Sequence, residues 1–165
     1  MVAKPGTGDA ERLEALRRLL VGLAAGQDVF ELSAVIADLH PEGDTFPGEV
    51  YLRLGADVLE LHVAAGGAPI TVEGLRERHL EEIRFRGSAN RKIKTALLSA
   101  AAMAGGLEPD LADEIYWWGR VDDFWRYGLY TAVGIIRASA SNRDIAVAQV
   151  VAELAEHHEV PLPEH

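Results

Sequence analysis

Apolar residues recur along this chain at intervals of three and four, the spacing of one face of an α-helix, and no stretch alternates convincingly at the interval of two that marks a strand. Asp9 reads as the N-cap of a first helix that carries Leu13, Leu16, Leu20 and Leu23 inward and stops at Gly26. Asp28 and Glu31 have the spacing of a capping box, which opens a second helix with Leu32, Ile36 and Leu39 on its inner face, ended by Pro41. Pro47 opens a third helix running to about Ala65, with Tyr51, Leu54, Val58 and Leu61 on one side and Leu52, Leu59 and Val63 on another. Gly66, Gly67 and Pro69 break the chain, and Thr71 caps a fourth helix in which Leu75, His79 and Ile83 point inward until Gly87. An alanine-rich fifth follows from Ser88 or Asn90 to Gly105. Ser141 and Asp144 repeat the capping-box spacing before a last helix that carries Ile145, Ala148, Val151 and Leu154 and ends at His157 and His158.

The stretch from Asp110 to Ser141 stands apart, because it contains Trp117, Trp118 and Trp125 together with Tyr116, Tyr127 and Tyr130. At about 100° per residue, Leu111, Ile115, Trp118, Trp125, Leu129, Val133 and Ile136 form an apolar stripe flanked by Trp117, Phe124, Gly128 and Ile135. A helix apolar over so much of its circumference has to be surrounded by others. The narrow polar strip left over holds Asp123, Arg126 and Arg137, with Tyr130 among them. Gly119 followed by Asp122, a stop and then a cap, favours two helices here rather than one, the longer running from Asp123 to Ala140. The class expected is all-α: a single-domain bundle of about seven or eight helices around this central aromatic segment. Residues 1–8 read as a flexible N-terminal tail, 9–158 as the helical domain and 159–165 as a C-terminal tail.

Composition narrows the function more than the fold. With 165 residues the chain fits one domain with a proper core, and without cysteine it has no disulfide, thiolate metal site or cysteine nucleophile. No leader-like apolar run precedes the first charges and no apolar run reaches the roughly 20 residues of a membrane span, so a cytoplasmic protein without membrane contact is expected. Basic residues are nearly all arginine, which suggests a GC-rich, bacterial-type genome. The net charge of −10 makes a nucleic-acid partner a poor fit, since neutralising phosphate calls for a basic face.

Several residues could carry chemistry, and each has a plainer reading. Asp122 and Asp123 adjoin Arg126 and could hold an ion, but neighbours on a helix point about 100° apart, so a cap at Asp122 and a pair between Asp123 and Arg126 are the simpler assignment. His79 with Glu82 has the elements of a metal ligand set but no second copy, and His62 is its only credible partner on another helix core; an inward, hydrogen-bonded histidine is the simpler reading. His157 and His158 are adjacent near the C-terminus, and adjacent side chains diverge on a helix, so no metal is expected there. No metalloprotease, phosphate-loop, nucleophile-elbow or EF-hand motif is present, and no cofactor is expected.

Charge is unevenly placed. Seven basic and three acidic residues lie between Arg76 and Lys94, and Arg84, Arg86, Arg91, Lys92 and Lys94 bracket a helix stop at Gly87 and a start at Ser88, the arrangement that binds anions. Pairing with the acidic surplus elsewhere is the competing assignment. Two functions of different class therefore stand. The first is an acidic helical interaction module that binds a protein partner or itself. The second is a ligand-binding or catalytic bundle, its pocket lined by Trp117, Trp118, Trp125 and Tyr130, with Asp122, Asp123, Arg126 and His79 as polar groups. Whether the chain is an enzyme is left open by its residues.

Overall fold

The computed structural model describes residues 7–37, 47–71, 74–79 and 124–162, with the side chains of 7–12, 47–50, 52, 76, 79, 124 and 125 outside that description. Within those residues the fold is all-helical, five α-helices without a strand: α1 (Thr7–Ala24), α2 (Val29–Ile36), α3 (Pro47–Ala64), α4 (Phe124–Asn142) and α5 (Val147–His157). A single π-helical turn, Leu75–His79, lies between α3 and α4. The expected count of seven or eight helices depends partly on residues outside this set, where Trp117, Trp118 and the break expected between Gly119 and Asp122 also lie.

Helix α4 is the most deeply placed element described. Leu129, Ala132, Val133, Ile135 and Ile136 are essentially inaccessible, and even its polar Thr131 and Ser139 are buried. Each fully buried aliphatic side chain contributes about 1.5–3 kcal/mol through removal from water, so this segment anchors the core. The most extensive interface joins α4 to α3, which supplies Tyr51, Leu54, Ala56 and Val58. Helix α4 also meets α2, α5 and the π-turn, while α1 packs against α2, α3 and α5. Burial pushes the Tyr51 phenol well above the usual tyrosine range, since the charged form would lose its water.

Helices α1 and α2 form an antiparallel hairpin. Arg18 donates from Nη1 to the carbonyl of Val35 at 3.0 Å, whereas Gly22, one turn further along α1, sits against Leu32, one turn earlier on α2. The expected capping box opens α2, with Glu31 N–H donating to Asp28 Oδ1 at 2.8 Å and Asp28 N–H to Glu31 Oε1 at 3.4 Å. Thr71 also caps as the sequence indicates, its Oγ1 accepting from Gly74 N–H at 3.1 Å.

Four of the five helices end in the same hydrogen-bonded turn. After α1, α3, α4 and α5 the N–H groups of Gln27, Gly67, Ile145 and Val160 reach back to the carbonyls of Gly22, His62, Ala140 and Ala155, the longer bond of a Schellman motif. The motif places one residue in the left-handed region. Glycine serves at positions 26 and 66, but Asp144 (φ 54°) and Glu159 (φ 56°) serve at the other two.

The structure departs from the sequence reading at several points, one of them at the turn after α4. Ser141 lies within α4 and Asp144 terminates it, so neither caps α5; that helix starts at Val147 after Ala146, which makes no side-chain cap bond. Helix α1 begins at Thr7, ahead of the expected cap Asp9. Leu13, Val63 and Ala148, assigned to apolar faces by spacing, are exposed. Tyr130, expected on a polar strip, is buried against the edges of Phe30 and Tyr127, with ring centroids 6.2 and 5.9 Å away.

Candidate functional site

Two polar clusters are built on α3, and both involve histidine. His62 is buried in the last turn of α3, where its Nε2 lies 2.6 Å from the carbonyl of Ala68 and its Nδ1 lies 3.0 Å from Ser139 Oγ on α4. A carbonyl can only accept, so Nε2 carries a proton, and in the neutral ring Nδ1 then accepts from the serine hydroxyl. A histidine beside a serine hydroxyl has the composition of a nucleophile and its base. Ser139 is fully buried, however, which denies any substrate access, and the pair acts as a pin between α3, the 65–71 turn and α4.

The second cluster lies where the end of α5 meets the middle of α3. Asp57, His157 and His158 each present one ligand-type atom, and these three atoms lie within 4.8 Å of one another. His158 Nε2 is 2.9 Å from Asp57 Oδ2. That contact is short but misaligned: Nε2 is shielded from solvent and makes no hydrogen bond, so the ring N–H axis does not point at the carboxylate. The two imidazoles meet edge to face with centroids 4.9 Å apart. Adjacent helical residues ordinarily diverge, but His158 is the C-cap, already outside helical geometry at φ −97°, ψ 3°, and this turns its ring back toward His157. Sequence spacing could not have found the cluster, because Asp57 is far away in the chain and belongs to no motif.

A cavity of about 230 Å³ opens beside the first cluster, between the 69–71 loop, the π-turn and the end of α4; Thr71, Glu77, Arg78 and Asn142 are its polar residues. It is smaller than the roughly 300–1,000 Å³ of ordinary ligand pockets. Elsewhere, charge pairs lie at the surface. Arg143 donates two hydrogen bonds to Glu153, at 2.9 and 2.8 Å, which ties the end of α4 to α5 and holds the Glu153 carboxyl below the usual range. Arg17 and Arg18 both donate to Glu14 and hold its carboxyl down to about 2.

Of the residues singled out by sequence, Arg126 is exposed and Tyr130 buried on α4. Trp117, Trp118, Asp122, Asp123 and the side chains of Trp125 and His79 lie outside the described residues, as do Arg84, Arg86, Arg91, Lys92 and Lys94. No described helix is long and apolar enough to cross a membrane. Compared with known protein families, with characterised proteins and with solved structures, the chain matches none.

Proposed function

We propose that the chain is a helical interaction module and that the α1–α2 hairpin presents its docking face to a protein partner. The observation that carries this reading is the exposure of large apolar side chains on that hairpin: Leu13 is 51% exposed, Phe30 50% and Val35 42%. Three of the four large apolar side chains exposed among the described residues lie on this hairpin, the fourth being Val63 on α3, and such a concentration is a usual mark of a protein contact, whereas scattered single ones are not. Phe30 is held in place by its edge contact with Tyr130, so its ring is presented without a large loss of side-chain freedom on binding. Arg17 and Arg18 with Glu14, Asp28 and Glu31 supply the polar rim expected around such a face.

A net charge of −10 makes a second copy a poor occupant, since two such chains repel at close range, and favours a partner with a basic rim. The test is site-specific photo-crosslinking in cells from a benzophenone side chain at position 30, with exposed Ala148 as the control position. The reading predicts one discrete heterologous adduct from position 30, absent from position 148 and lost when Leu13 and Val35 are both changed to serine. Equal adducts from both positions, or none from position 30, would overturn it. A homodimer adduct would replace the heterologous partner with a second copy.

A further inference from the structure

The geometry points to a divalent transition-metal site formed by Asp57, His157 and His158. Two imidazoles and one carboxylate make a borderline ligand set that suits Zn²⁺ and its first-row neighbours and discriminates against Mg²⁺ and Ca²⁺, which take oxygen ligands. The ligand atoms of a tetrahedral zinc, bound at about 2.0–2.1 Å, lie about 3.3 Å apart. The spacings here bracket that value, from 2.9 Å between Asp57 and His158 to no more than 4.8 Å across the set. Small side-chain rotations therefore complete the site.

A simple ion pair between Asp57 and a charged His158 is the competing explanation, and two observations disfavour it. His158 Nε2 is withdrawn from solvent without an aligned hydrogen bond, a poor arrangement for an ammonium-like donor but a natural one for a lone pair directed at a cation beside the carboxylate. An ion pair would also leave His157 no part, yet its ring, though exposed, is set edge to face against His158 with a ligand atom within 4.8 Å of the other two. The turn that follows explains how both rings are held. Glu159 N–H and Val160 N–H return to the carbonyls of Glu156 and Ala155, and the buried Val160 seals the turn, which fixes the backbone of both histidines.

Such a metal would join the middle of α3 to the chain just beyond α5. With three protein ligands it keeps a coordination position for water, on the side where His157 is exposed. The chain has no cysteine to offer a competing thiolate site.

Isothermal titration of the full-length protein with Zn²⁺ alone, accompanied by thermal melts, tests the proposal. The expected result is one Zn²⁺ per chain, a higher Tm in its presence, and no such response to Mg²⁺. His157→Gln is the decisive variant, because it leaves the Asp57 to His158 contact and five other histidines in place. It should melt as the wild type does without metal but bind Zn²⁺ at least about tenfold more weakly, a loss no smaller than that seen for residues that merely support ligands. Asp57→Ala should lose the binding as well. Absence of Zn²⁺ binding, or binding that His157→Gln leaves unchanged, would overturn the site.

Discussion

Nδ1 of His62 lies 3.0 Å from the hydroxyl of Ser139, and this single contact joins the last turn of α3 to α4 inside the core. With Nε2 already committed to Ala68, Ser139 is the one partner that Nδ1 has among the described residues. Ser139→Ala leaves a buried acceptor unpaired, which costs about 1–3 kcal/mol. The urea midpoint should fall accordingly with an unchanged m-value. A loss below about 0.5 kcal/mol would place the ring nitrogen in contact with water.

Gly67 tests the same pin from the other side. A methyl group there would overlap the His62 ring, and that ring cannot turn away without breaking both of its hydrogen bonds. Gly67→Ala should therefore destabilise by about 1–3 kcal/mol, the usual cost of overpacking, even though an Ala for Gly exchange elsewhere in a turn is often neutral or favourable. A thermal melt decides it.

The helix endings offer gains instead. Glu159 occupies the left-handed region where an L-residue other than Asn or Asp is held at a cost of roughly 1–2 kcal/mol, partly offset by the lower freedom of its unfolded state. Glu159→Gly should raise stability by about 0.5–1 kcal/mol. Asp144→Gly should gain less, because aspartate tolerates this conformation better. Both are read from urea midpoints, and a loss on Glu159→Gly would mean that the turn after α5 differs from the one described.

How much of this was legible in the sequence follows from which forces are local. The α2 capping box, the Thr71 cap and the glycine stops at Gly26 and Gly66 are contacts within a few residues, and the residue types alone announce them. Asp144 performs the glycine role without glycine, so residue types alone place the start of α5 where α4 in fact ends; Glu159 does the same after α5. Leu13 and Val63 obey helical spacing yet face solvent, because spacing names a face and only the packing of other elements decides whether that face is covered. The Asp57, His157 and His158 cluster was invisible for a different reason: it depends on where α5 ends against α3, a tertiary fact.

Acid should weaken the junction of α4 and α5. The hydrogen bonds from Arg143 lower the folded pKa of Glu153, so the pair adds stability above the pKa of an unfolded glutamate, and that contribution is lost as pH falls through the folded value. Partial exposure and solvent screening keep it to no more than about 1 kcal/mol. Glu153→Gln should flatten the stability profile over that acidic range and leave its neutral limb parallel to wild type. An unchanged acid slope in the variant would show that Arg143 and Glu153 do not pair in solution.

Helix α4 is the buried axis against which α2, α3 and α5 pack, and native-state amide hydrogen exchange tests this most directly. Amides from Leu129 to Ser139 should be among the slowest in the chain, opening only with global unfolding, while those of the short, half-exposed α2 exchange through smaller local openings. Exchange of Leu129 to Ser139 at rates equal to or faster than those of Val29 to Ile36 would contradict it.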